Sequence, residues 1–294
     1  MITAKIIADT FNPAQQTRLT TFELEYPRFI HAELMTHRML SKNCASSRAI
    51  PVTAMIDNVI SNTAFPIHWG QNKAGMQADT EILNQLDAKV LWVEARDNAI
   101  ASAIKMNKLG LHKQVVNRVL EPFQMMKTII TGTEWANFFW LRNHEAAQPE
   151  IAKLASLMHD AMNASTPSYN YYHLPYINQE DMGDGSVKYT NADGLDLSLA
   201  DAIKVSVSCC AQVSYRKNDG GLEKALKIYD MLGFASDNPE TRVHASPAEH
   251  IGWRVNIKNS SDCDLKYRNG FASYWSGNFN GFVQLRQTMR GESV

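Results

Sequence analysis

Thr36 to Arg48, THRMLSKNCASSR, follows the apolar-patterned run Phe29 to Met35 and gathers His37, Arg38, Ser41, Asn43, Ser46 and Arg48 into one short stretch. It is too polar to be core and too rich in anion-binding groups for a casual turn. Guanidinium forks, hydroxyls and nearby backbone N–H groups are the donors a phosphate ester requires, so a nucleotide or phosphorylated cofactor is the first expectation. The alternative is a helix C-terminus followed by a capped surface turn, with His37 and Arg38 complementing the helix dipole. The rest of the chain has to choose between them.

The 294 residues suffice for a sizeable core, and 45% apolar with 20% charged residues reads as soluble and globular. A formal charge of -1 gives no global field to recruit a nucleic acid polymer, so a single nucleotide is the better-matched partner. Cys44, Cys209, Cys210 and Cys263 have no metal-ligand spacing. A reducing cytoplasm fits this usage, the N-terminal MITAKIIADTF has no leader pattern, and no apolar run reaches membrane-spanning length.

Outward from the opening stretch, apolar patterning predicts strands over Thr3 to Ala8 and Arg18 to Leu24, then an amphipathic helix from Arg28 to Met35 behind Pro27. A short helix and a loose segment around Pro66, His68 and Trp69 precede a long scaffold helix over Thr80 to Gly110, carried by Ile82, Leu86, Val90, Leu91, Ala95, Ile100 and Ile104. Leu111 to Glu121 continues helically before Pro122. A further helix is expected from Thr133, a candidate cap, through WANFFWLRNHEAAQPEIAKLASLM. Residues 163–198 read as an irregular excursion, and helices are expected over Leu199 to Val213 and Gly221 to Leu232.

Within these elements the polar residues concentrate in three regions, 36–48, 117–142 and 244–286. Arg118 reads either as a ligand contact or as a surface ion-pair residue. Asn137 and Arg142, set among Trp135, Phe138, Phe139 and Trp140, either reach solvent at a helix edge or meet a ligand, while each aromatic is expected in the core. Pro247 opens a short helix that brings Glu249 and His250 together. No dinucleotide fingerprint or phosphate loop is present.

At these residues the chain resembles the flavin-dependent thymidylate synthases. Their arginine motif, Arg-His-Arg-x-x-Ser-x-Asn-Glu-x-Ser-x-Arg, is matched by His37, Arg38, Ser41, Asn43, Ser46 and Arg48, with Thr36 and Cys44 in place of its first arginine and its glutamate. Arg118 in NRVLEP and Asn137, Arg142, Gln148 and Glu150 extend the likeness. The family's Ser-Pro-Phe-Glu-His turn, which normally precedes the arginine motif, resembles Ser246-Pro247-Ala248-Glu249-His250, here far towards the C-terminus. This order resembles a circularly permuted or rearranged bacteriophage-like branch.

The resemblance implies one α/β (α+β) domain over residues 1–294, a mainly antiparallel sheet flanked by helices, assembled as a homotetramer with FAD between subunits in a cytoplasm, the host's if phage-encoded. It implies that Ser46, Arg48 and Arg118 hold the phosphate of dUMP or a related pyrimidine deoxynucleotide, and that Arg142 addresses the pyrimidine. Arg142 and Ser46 are then the residues of catalysis, while His37, Arg38, Asn43, Asn137 and His250 surround FAD. The implied reaction uses NADPH as reductant and methylenetetrahydrofolate as one-carbon donor to C5 of dUMP, giving dTMP. Hydroxymethylation of dUMP or dCMP, and nucleotide binding without catalysis, are the alternatives. Cys44 is either a reactive thiol beside the arginines or a passive replacement.

Overall fold

The computed structural model describes residues 1–214, 218–234, 236, 244–255, 275–276 and 278–289. Cys263 and much of the 244–286 region fall outside them.

Both expected N-terminal strands form and run longer than the apolar pattern indicates, as β1 (Thr3–Asn12) and β2 (Thr17–Pro27). They pair antiparallel from Thr3↔Glu25 to Asn12↔Thr17, with a bulge between Ile6 and Ala8. After the 3-10 turn Arg28–Ile30, the expected helix is reduced to α1 (His31–Met35). The polar stretch is not only a loop, because Ser41–Cys44 forms a strand, β3. The sequence reading had no counterpart for β4 (Met125–Gly132), whose β-branched Thr128, Ile129, Ile130 and Thr131 suit a strand buried on both faces. The resulting sheet is antiparallel throughout in the order β1-β2-β4-β3.

Helices cover both faces of this sheet. Phe22, Leu24, Tyr26 and Ile130 pack with Trp135 and Phe138 of the α5 region (α5, Ala136–Arg142) and with Ile151, Leu154 and Met158 of α6 (Pro149–Ala164). The long expected helix is broken between α5 and α6, since Asn143 leaves helical geometry and Pro149 opens a new first turn. Thr133 caps neither helix; its hydroxyl accepts from the Asn280 backbone N–H at 3.0 Å. On the opposite face Ile129 packs with α7 (Leu199–Ala211) and α8 (Leu222–Met231), and Ser198 caps α7 by accepting from Asp201 N–H. A third cluster joins α2 (Val52–Ser61), α3 (Gln85–Lys108) and the turn Asn117–Phe123. The helix expected over 111–121 is instead α4 (Lys113–Val116) followed by that 3-10 turn.

Two expectations about apolar residues fail. Helix α3 turns Trp92, Ile100 and Ala103 inward, whereas Leu86, Val90, Leu91 and Ile104 are exposed, Leu86 at 71%. Trp140 is 76% exposed rather than core. His68 and Trp69 are structural, the first bonded to the Ala78 carbonyl and the second edge-on to Trp92.

The excursion at 163–198 contains β5 (Tyr172–His173) and a small antiparallel meander of β6 (Asn178–Asp181), β7 (Val187–Thr190) and β8 (Asp196–Leu197). Strand β5 belongs with the C-terminal part of the chain, pairing with β9 (Gly252–Arg254), which pairs with β12 (Phe282–Gln284); between these last two lie β10 (Trp275–Ser276) and β11 (Phe279–Asn280).

Candidate active site

Strand β3 organises the site, with different chemistry at its two ends. At the end nearer α1, Lys42 Nζ donates to the carbonyls of His37 and Leu40 and folds the turn that carries His37. Buried Phe138 anchors α5, which delivers Arg142 in its last turn. Arg142 Nε donates to His37 Nε2 at 3.0 Å, and its Nη1 donates to Glu33 Oε2 of α1, also at 3.0 Å. The Phe138 ring meets His37 edge-on at 4.9 Å between centroids. Because His37 Nε2 accepts, its proton lies on Nδ1 and the ring is neutral. Burial, then the Arg142 and Lys42 charges, lower its pKa, in agreement with a neutral ring. The remaining N–H groups of Arg142 have no acceptor among the described residues, which leaves part of a planar donor fork free. Arg38 and Asn137 are exposed nearby, without hydrogen-bond partners among the described residues.

At the other end, Ala45 N–H donates to the Lys127 carbonyl and the chain then turns out to expose Ser46 and Arg48. Ser46 N–H donates to Ser214 Oγ at 2.8 Å, and Arg48 N–H to Ser46 Oγ at 3.3 Å. Buried Asn117 fastens this loop, its Nδ2 donating to the carbonyls of Ser47 at 2.8 Å and Ile50 at 3.0 Å. Arg118 is thereby brought beside the Ser46–Arg48 loop. Its side chain is 56% exposed and pairs with Glu121 at 2.7 Å, but Glu121 also takes Arg28 at 2.8 Å, so one carboxylate serves two guanidinium groups. The surface ion-pair reading of Arg118 is therefore observed. Lys113 Nζ, on the Ala49 carbonyl, adds a further cation. A cavity of about 260 Å³ adjoins the loop, lined by Ala45, Ser47, Asn58, Met125, Lys127 and Ser214 among others.

Between the two ends, Asn43 ties β3 to distant parts of the chain, donating from Nδ2 to the Cys210 carbonyl at 2.7 Å and accepting from Ser246 Oγ at 3.4 Å. That contact seats the 3-10 turn Ser246–His250 on the sheet. Glu249 pairs with Arg286, while His250 is fully buried with Nδ1 2.8 Å from Thr131 Oγ1. Burial, reinforced by His173, pushes the His250 pKa down to about 3, and its Nε2 has no hydrogen-bond partner among the described residues. Burial pushes the Cys44 thiol up, which disfavours the thiolate and supports the passive reading of this position.

Within the chain the site residues thus form two groups. Arg142 meets His37, and Asn117, next to Arg118 in the chain, fastens the Ser46–Arg48 loop, but β3 holds the groups apart. Its four residues, at about 3.3 Å each, put roughly 13 Å between them. Glu33, Lys42 and Thr131 were not singled out in the sequence. Only Thr131 carried a usable local signal, through its β-branched run.

The family model described as thymidylate synthase complementing protein matches residues 11–168, more than half of the chain. The chain belongs to that family. Membership supports, in general terms, one-carbon transfer to C5 of dUMP. The matched stretch includes the arginine motif, Arg118 and Arg142, and stops before the Ser246–His250 turn.

Among solved structures, the chain is similar to a UMP/dUMP methylase, PolB, from Streptomyces cacaoi. The form bound with 5-Br dUMP shares 20% identity over 49% of this chain and 66% of that one, with a TM-score of 0.42. The form bound with 5-Br UMP shares 18% identity over 56% of this chain and 94% of that one, with a TM-score of 0.44. No curated protein matches the chain significantly.

Proposed function

We propose that this family member transfers a one-carbon unit from methylenetetrahydrofolate to C5 of dUMP, giving dTMP, with FAD as its cofactor and NADPH as reductant. The observation that carries the reading is the direct bond between Arg142 and His37, 105 residues apart, which leaves an oriented guanidinium beside the aromatic edge of Phe138. Such a fork can donate to a carbonyl oxygen of a pyrimidine ring, and its planarity fixes the direction of that contact. Ser46, Arg48 and Arg118 bind the phosphate, in a patch where cations outnumber the carboxylate.

The residues also fit a flavin. Among the described residues, buried His250 has an unpartnered ring nitrogen, and Arg38 and Asn137 offer free donors. When bound, the flavin supplies the hydride that brings the one-carbon unit to a methyl group. His37, Arg38, Asn43, Asn137 and His250 hold and orient it, Asn43 acting through the turn that it seats. Arg142 fixes the pyrimidine and Ser46 the phosphate, so C5 is positioned by both ends of the nucleotide.

The two groups on β3 serve one site when copies of the chain assemble, and we read the protein as a homotetramer. The exposed stripe Leu86, Val90 and Ile104 on α3 and the exposed Trp140 beside Arg142 are apolar surface that a second copy covers. The late Ser246–His250 turn, packed on the arginine-motif strand, fits a rearranged chain order.

The test is dUMP titration of the purified protein with and without FAD, alongside its absorption spectrum. A flavin spectrum with saturable dUMP binding is expected. Folded protein that takes up neither overturns the reading.

A further inference from the structure

The buried core holds a continuous run of polar groups beneath the site. His173 of β5 has Nδ1 2.9 Å from Thr10 Oγ1 and Nε2 2.7 Å from Thr21 Oγ1. Thr21 Oγ1 is 2.7 Å from Thr131 Oγ1, and Thr131 Oγ1 is 2.8 Å from His250 Nδ1. His173, Thr21, Thr131 and His250 are wholly buried, and Thr10 nearly so. The chain ends at His250 Nε2, which no described group satisfies. An unpaired buried nitrogen is costly unless a group beyond the described residues meets it.

Each hydroxyl has one hydrogen and each neutral imidazole one N–H, so the four bonds can all run in a single direction along the chain in two ways. In one, Thr10 donates to His173 Nδ1, His173 Nε2–H to Thr21, Thr21 to Thr131 and Thr131 to His250 Nδ1, which leaves an N–H at His250 Nε2. In the other every bond is reversed, both histidines carry the proton on Nδ1, and His250 Nε2 is a bare acceptor. The two forms contain the same five hydrogens and the same charge. They differ by movement of one proton between the two nitrogens of each ring, with rotation of the hydroxyls. With His173 protonated on Nδ1 and His250 on Nε2 one of the four bonds is lost; the opposite mixed pair keeps all four only by making Thr21 or Thr131 accept from both sides, which breaks the single direction and leaves that hydroxyl's own hydrogen without a partner among the described residues. Both histidines have pKa values lowered to about 3 by burial, which keeps them in the neutral state that this accounting requires.

We propose that Thr10, His173, Thr21, Thr131 and His250 form one directional hydrogen-bond relay, through which His173 acts as a positioning residue that sets whether His250 Nε2 donates to or accepts from the ligand bound above it. The proposal rests on reading His250 as a ligand contact. Its consequence is a site that meets either an acceptor or a donor atom, such as a ring nitrogen in two protonation states, without placing a charge in the core.

Histidine side-chain ¹⁵N NMR on labelled protein is the test, because it reports the tautomer of each ring. In the ligand-free protein the two histidines are expected to share a tautomer, both protonated on Nε2 or both on Nδ1; a mixed pair overturns the relay, whatever the ligand proves to be. On saturation with FAD and dUMP, the His173 and His250 signals are expected to move together, and Thr21→Val, close in shape to the native side chain, is expected to leave His250 responding alone. A His250 response without one from His173 in the native protein, or no response from either with both ligands bound, overturns the proposal. Binding is followed separately by flavin fluorescence, so loss of FAD binding counts against the proposed function while the ligand-free tautomers still judge the relay.

Discussion

Acidification presses hardest on the buried histidines, and the size of the effect follows from their burial. His173 and His250 are fully buried, and desolvation lowers both from 6.5 to about 3. In the unfolded chain each takes up a proton as pH falls through about 6.5, while in the folded chain each stays neutral until about pH 3. The unfolded state therefore binds more protons across that window, so stability is complete above it and is lost as pH falls through it. At about pH 4.5 each ring costs slightly under about 3 kcal/mol relative to neutral pH, and the pair between about 5 and 6 kcal/mol. This is a large part of the roughly 5–15 kcal/mol that keeps a domain folded. His31 and His37, both lowered first by burial, act in the same direction. Urea unfolding at a series of pH values between about 7 and 4.5 measures the slope. His173→Gln is expected to remove about 1.4 kcal/mol per pH unit from it, the contribution of one proton. A native slope near zero, or a histidine proton titrating near pH 6.5 in the folded protein, refutes the reasoning.

Arg48→Ala is expected to weaken dUMP binding by about 2 kcal/mol, roughly thirtyfold, and Arg118→Ala by about half as much in energy because Glu121 already occupies it and it is largely exposed. Calorimetric titration of the folded variants checks both, and unchanged affinity removes the residue from the phosphate site. Arg142→Lys keeps the charge but loses the fork, so rapid-reaction measurements are expected to show normal flavin reduction with one-carbon transfer slowed at least tenfold; normal transfer rejects the positioning role. Paired Leu86→Glu and Val90→Glu are expected to dissociate the assembly in sedimentation velocity, and an unchanged sedimentation coefficient removes α3 from the interface.

How much the sequence reveals depends on whether a residue's role is local. Strands β1 and β2 were readable from their apolar patterning, clearest where buried Phe22, Leu24 and Tyr26 alternate with half-buried Glu23 and Glu25. Strand β4 was missed because burial on both faces abolishes alternation, and β3 because its polar SKNC is an edge strand that bonds to a turn and to Cys210. The cluster of His37, Ser46 and Arg48 was legible as polar residues crowded together. That β3 separates its two ends was not, since strand register depends on a partner more than 80 residues away. Trp140 and Leu86 carry a core signature but lie outside, because apolar periodicity does not say which face of a helix meets the core. The relay from Thr10 to His250 has no local pattern at all, because it exists only where four strands and a turn converge.

The central claim is one-carbon transfer to a pyrimidine nucleotide, and the product mass tests it most directly. The folded protein is incubated with FAD, NADPH, methylenetetrahydrofolate and either dUMP or dCMP, and the nucleotide is analysed by mass spectrometry. Conversion of dUMP to dTMP is the expected result, and a hydroxymethyl product would change the fate of the one-carbon unit while keeping the site. Unmodified dUMP and dCMP from flavin-loaded, nucleotide-binding protein would contradict the claim.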